Sequence, residues 1–211
     1  MARARITVLI SGRGSNLVAL IDAVAAGKIA GAITQVISNR PDAPGLDHAA
    51  KAGIPTKVVD HRAHASREAF EAALAAAIDD GKPDVVVLAG FMRVLGADFV
   101  RRYEGRMLNI HPSLLPAYPG LDTHRRVLAD GAKRHGCSVH FVTATVDGGP
   151  IVGQAEVAVL PGDDESTLAA RVLEAEHRLL PEIVARYCEG RLVLDHGRVR
   201  VIDAAPQAGR S

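Results

Sequence analysis

Three polar residues carry side chains suited to acyl chemistry. Asn109 interrupts the apolar run Met107-Leu-Asn-Ile110, and His111 follows it two residues later. Alternation along a strand places both on one face, and a buried amide beside an imidazole is costly unless each bonds something. The third is Asp147, read as ending a strand at the turn Asp147-Gly148-Gly149-Pro150. Each has an ordinary structural explanation: a satisfied pair packing the loop Pro112–Pro119, and an aspartate bonding its own turn. Together, an amide, an imidazole and a carboxylate make a donor set for an oxyanion and a proton shuttle for an attacking amine. No Gly-x-Ser-x-Gly elbow is present, so attack is expected to be direct rather than through an acyl-serine.

A second chemical feature is the loop Ser11-Gly12-Arg13-Gly14-Ser15-Asn16, between a first strand and a first helix. Backbone N–H groups and a helix N-terminus converge in such a loop and suit a phosphate. The loop lacks the GK[ST] of a P-loop, and Leu17 occupies the third glycine position of a dinucleotide fingerprint. The second strand ends Ser38-Asn39-Arg40, without a carboxylate for an adenosine ribose. A small phosphomonoester fits better than a dinucleotide. A tight βα turn capped by Asn or Ser explains the loop alone equally well.

Other groups point to less. The sequence has no HExxH or comparable pair, so no metal is expected. Cys137 and Cys188 lack zinc spacing and read as buried thiols in a reducing cytoplasm. His61 and His64 are expected at the surface, and His140 as a strand residue bonded locally. The net charge is +1, with three Tyr, four Phe and no Trp. That balance disfavours nucleic acid as a partner, through weak electrostatic attraction and few stacking platforms. No apolar stretch is long enough to span a bilayer. The short run after Arg3 and Arg5 breaks at Ser11-Gly12 without a cleavage pattern, so it reads as a strand and the protein as cytoplasmic.

The elements that must hold these residues follow from periodicity. Strands are expected at Ile6–Ile10, Ile33–Ser38, Lys57–Val59, Val85–Ala89 and Met107–Ile110, short and β-branched as strands buried on both faces should be. Helices are expected at Asn16–Ala26, Leu46–Ala52 and Ser66–Asp80, with Gly27, Gly53 and Gly81 at positions past their ends that favour positive φ. Alternating strand and helix implies right-handed crossovers and a parallel sheet. Strands at Ser138–Thr145 and Ile151–Leu160, joined by a short turn, must be antiparallel. A helix over about Glu165–Glu189, kinked at Pro181, and a hairpin over Leu192–Val201 complete the pattern. The fold class is α/β, Rossmann-like, with a mostly parallel twisted sheet and an antiparallel C-terminal part. Residues 1–203 form one expected domain, and 204–211 a disordered tail.

The segments LISGRGSNL, VVVLAGFMRVL, LNIHPSLLPAYPGLDTH and HGCSVHFVTATVDGGPIV are specific in combination. From about Ile6 to Gly190 the chain resembles the phosphoribosylglycinamide formyltransferases, folate-dependent enzymes of purine synthesis. The resemblance implies transfer of the formyl group of 10-formyltetrahydrofolate to the amine of glycinamide ribonucleotide. It implies Asn109, His111 and Asp147 as the catalytic trio, with His111 acting as an imidazolium donor and Asn109 also reaching the folate. It further implies acceptor and phosphate contacts from Gly14, Ser15, Asn16 and Glu176, and a folate site of Arg67, Met92, Arg93, Val94 and Leu95. From the residues alone, Met92 and Leu95 would be core and Arg67 a solvated helix face. Arg13, Ala117 and Asp122 depart from the usual pattern. Methionyl-tRNA formyltransferase and formyltetrahydrofolate deformylase share the trio, but the first is expected to add an RNA-binding domain and the second a regulatory one. Monomer and homodimer both remain open.

Overall fold

The computed structural model describes residues 3–195 and 197–202. The expected disorder of 204–211 and the turn residue His196 lie outside them. In chain order the elements are β1 (Ala4–Ile10), α1 (Ser15–Ala25), β2 (Gly31–Ser38), α2 (Gly45–Lys51), β3 (Thr56–Val58), α3 (Arg67–Asp80), β4 (Val85–Leu88) and α4 (Ala97–Arg102). There follow β5 (Met107–His111), α5 (Thr123–Ala129), β6 (Arg134–Phe141), β7 (Ile151–Ala158), α6 (Glu165–Cys188), β8 (Leu192–Asp195) and β9 (Arg198–Val201).

Seven strands form one sheet in the order β3-β2-β1-β4-β5-β6-β7. Pairings from β3 through β5 are parallel, and β6 pairs antiparallel with both β5 and β7. This is the expected mixed α/β sheet. The chain winds outward from β1 to β3, then returns to lay β4 on the other side of β1. Between the carboxyl ends of β1 and β4 the winding reverses, the crevice where open α/β sheets bind ligands.

The two faces are covered differently. One packs Ile6, Val8, Ile10, Leu108, Ile110, Val139 and Phe141 against apolar stripes of α1 and α6. On the other, Leu9, Val86, Leu88 and Met107 meet Phe70, Leu74 and Ile78 of α3 and Phe99 of α4. Further along this second face, over β5 and β6, the inward residues turn polar: Asn109, His111, Ser138 and His140. The register Asn109↔His140 and His111↔Ser138 sets them side by side. His111 and Ser138 bond loop groups, and Asn109 and His140 bond each other.

Several expectations are corrected. β6 begins at Arg134 and ends at Phe141, not Ser138–Thr145, because it pairs with β7 from Arg134↔Ala158 onward. Asp147 therefore does not end a strand; it lies in the connection between β6 and β7, with φ 51°. Gly27 and Gly53 take positive φ as expected, but Gly81 does not: its φ is −75°, and Lys82 takes φ 45° instead. Glycine at 81 answers a steric need, since a Cβ there would lie 2.2 Å from Gln35 Nε2. α4 and α5 were not expected, being too short for a 3.6-residue period to declare itself. α6 spans Glu165–Cys188 with Pro181 inside it and opens on a capping box in which Asp164 and Thr167 bond each other's backbone N–H. The β8–β9 hairpin forms as expected and packs Leu192 and Leu194 onto the α6-side core.

Candidate active site

The site begins with Asn109, whose Nδ2 lies 3.1 Å from His140 Nε2. His140 Nδ1 lies 2.9 Å from the Phe141 carbonyl, which can only accept. Nδ1 thus donates to that carbonyl, and Nε2 faces the Asn109 amide as its acceptor. One Asn109 N–H is committed by this bond, which orients the amide and leaves the second N–H for another partner. His140, expected to be bonded only locally, is thus part of the site. Only the β5–β6 register reveals it.

His111 is 6% exposed. Its Nε2–H donates to the Tyr118 carbonyl at 3.0 Å, and its Nδ1 lies 3.4 Å from Asp147 Oδ2. Both ring nitrogens face acceptors, the arrangement an imidazolium fills. Burial opposes that charge and, despite Tyr118 and Asp147, holds the group below the ordinary histidine range. Burial thus works against the expected imidazolium, while Tyr118 O and Asp147 work for it. Asp147 is placed to stabilise the charged form once a proton arrives.

Asp147 is itself half-buried. Oδ2 accepts the Gly120 N–H at 2.8 Å, and Oδ1 lies 3.7 Å from His140 Nε2. Burial pushes its carboxyl up, but the Gly120 N–H and the nearby His111 outweigh burial and leave it below the usual carboxylate value. Asn109, His111 and Asp147 are thus brought together, as their residue types suggested. The ties from Tyr118 O and Gly120 N–H are backbone groups that no residue type announces.

The glycine loop is built by close backbone approach. Gly14 has φ 77°, and a Cβ on it would sit 2.6 Å from Gly45 Cα. The Gly45 N–H also donates to Gly12 O at 3.0 Å, locking the loop to the start of α2. No side chain caps α1 at Gly14, so the first N–H groups of the helix stay open toward a ligand. Asn16 donates from Nδ2 to Glu176 Oε2 at 2.6 Å, while its buried Oδ1 has no partner. Glu176 is buried, which pushes its carboxyl up against the opposing Asn16 bond. Gly14, Ser15, Asn16 and Glu176 thus form one group. Arg13 is exposed beside it.

Residues 89–96 link β4 to α4. Met92 is 64% and Val94 59% exposed, whereas Leu95 is buried in the α3-side core. Core packing therefore explains Leu95 and not Met92. Arg93 is exposed, and so is Arg67 at the start of α3, with its Nε 3.7 Å from Glu71 Oε1. His61 and His64 are half-buried against Phe70 rather than free at the surface. Among the described residues no cluster of His, Cys, Asp and Glu could hold a metal ion, and no helix is long and apolar enough to cross a membrane.

Comparison with known proteins places this geometry. The formyl transferase family model matches residues 4–184. The chain is 54% identical to phosphoribosylglycinamide formyltransferase of Escherichia coli (strain K12) over 187 residues, covering 89% of this chain and 88% of that one. It is 48% identical to the trifunctional purine biosynthetic protein adenosine-3 of Drosophila melanogaster, covering 91% of this chain and 14% of that protein. Among solved structures, glycinamide ribonucleotide transformylase 1 from Symbiobacterium toebii superposes with a TM-score of 0.92 at 49% identity, covering 95% of this chain and 94% of that one.

Proposed function

The chain belongs to the formyl transferase family, among the phosphoribosylglycinamide formyltransferases, and from that premise we propose how its site works. It transfers the formyl group of 10-formyltetrahydrofolate to the amine of glycinamide ribonucleotide, a step of purine biosynthesis. The observation that carries the mechanism is Asn109. Its amide is pinned by His140 with one N–H to spare, beside the buried His111–Asp147 pair.

The acceptor's amine attacks the formyl carbon, forming a C–N bond and a tetrahedral oxyanion. Asn109 donates its second N–H to that oxygen. The attacking nitrogen must then lose a proton, and the folate nitrogen must gain one before its bond to carbon breaks. The His111–Asp147 pair carries that proton, Asp147 stabilising the charged imidazole. His111 donates to the oxyanion only if its Nε2–H leaves Tyr118 O, so proton transfer is its first role. The products are the formylated amide and tetrahydrofolate, and atoms and charge balance without a metal.

Binding follows from the other two groups. The open N–H groups of α1, with Gly14, Ser15 and Asn16, hold the acceptor's phosphate, and Glu176 meets its ribose. Met92, Arg93, Val94 and Leu95 grip the pterin, with Arg67 at the rim.

The test is folate release from 10-formyltetrahydrofolate, followed spectroscopically with and without glycinamide ribonucleotide. Release that depends on the acceptor is expected. Equal release without it would make water the acceptor and the chain a deformylase.

A further inference from the structure

Resting on the reading above, we propose that Ser11 is a positioning residue for the donor. Its hydroxyl sets the conformation of the pterin-binding segment from the edge of the acceptor loop. Ser11 is the first residue after β1 and is buried. Its Oγ accepts the Met92 N–H at 2.7 Å and donates to Asn39 Oδ1 at 2.5 Å, and its own N–H donates to Gly90 O at 3.1 Å. One residue of the glycine loop thus fixes both peptide groups at the start of the donor segment.

The segment depends on such ties because it has neither helix nor strand. Phe91 and Leu95 anchor it in the core, and at its far end the Gly96 N–H donates to Glu71 Oε1 at 2.7 Å. Between these ends, among the described residues, the N–H and C=O groups of Arg93, Val94 and Leu95 bond no other backbone or side-chain group. Backbone groups held open in this way can meet the polar edge of a flat heteroaromatic ring only if the ends are fixed. Asn39 in turn holds the Ser11 hydroxyl and is buried at 2% exposure, with His61 Nδ1 3.1 Å from its carbonyl oxygen. Ser11 is therefore oriented from behind, so its lone pair faces Met92 rather than solvent.

Full-length Ser11→Ala and Glu71→Ala test this, the second on a more exposed helix surface in case the first does not fold. Amide hydrogen exchange at Met92 should quicken in Ser11→Ala, and at Gly96 in Glu71→Ala. In steady-state transfer assays the KM for 10-formyltetrahydrofolate should rise about three- to tenfold, the range for one lost net hydrogen bond. The KM for glycinamide ribonucleotide and kcat should each stay within about twofold. Unchanged exchange, or KM values rising equally for both substrates, would overturn the proposal. A wild-type chain that transfers no formyl group would instead overturn the functional reading, and that failure appears before any variant is made.

Discussion

The acceptor side and the chemical side of the crevice are built on opposite principles. Around Gly14 the working groups are backbone amides, and side chains matter mainly by being absent. Glycine meets glycine at the α1–α2 contact because a Cβ would lie 2.6 Å from Gly45 Cα. Around Asn109 the working groups are side chains on a sheet face that helices leave uncovered. Backbone groups there serve as fixings: Phe141 O for His140, Tyr118 O for His111 and the Gly120 N–H for Asp147. A backbone cradle tolerates little added volume. A side-chain cluster tolerates isosteric change in shape but loses chemistry.

Breaking the chemical side should give the largest effect. Asn109→Ala removes one oxyanion donor, and kcat should fall about 10²–10³-fold. Calorimetric affinity for glycinamide ribonucleotide should stay near that of wild type. A variant with near-normal kcat would remove Asn109 from the oxyanion role.

Gly14→Ala attacks the other side. It forces a Cβ into the Gly45 backbone at φ 77°, and the strained conformation with the clash should cost about 1–3 kcal/mol of stability. The KM for the acceptor should rise by about tenfold or more, with a smaller change in the KM for the folate. If both rise together, the two sides are one unit and the contrast fails.

The smallest effect sharpens the reading of the proton pair. Burial lowers the His111 pKa from the model-peptide value of 6.5. If the neutral ring takes the proton, kcat/KM is fully present above that pKa and falls as pH drops through it. The acid limb of the pH profile should therefore lie below pH 6.5. Asp147 raises the His111 value, so in the residual activity of Asp147→Asn the limb should move further toward acid. A limb above pH 6.5, or a shift the other way, would favour a charged His111 in the free enzyme.

Much of this molecule was legible before any coordinate was known. Short β-branched runs such as Val85–Leu88 mark strands covered on both faces. Asn109 and His111 stood out because polar groups in an apolar strand need partners. The glycine loop showed its place between a strand and a helix. α4 and α5 were silent because six or seven residues carry too little of a helical period.

The rest depends on neighbours distant in sequence. That Asn109 is oriented by His140 follows from the register between β5 and β6, which pairs residues 31 apart. That Met92 is exposed while Leu95 is buried follows from how residues 91–96 leave the sheet. The pKa of His111 depends on how deeply it is buried, a balance of desolvation against Tyr118 O and Asp147 that local sequence does not express. Sequence by itself determined which groups are present and which elements carry them, because periodicity and residue chemistry are local properties. Their partners, exposure and charge were decided by the tertiary structure, because hydrogen bonds and desolvation act through space across strands and loops.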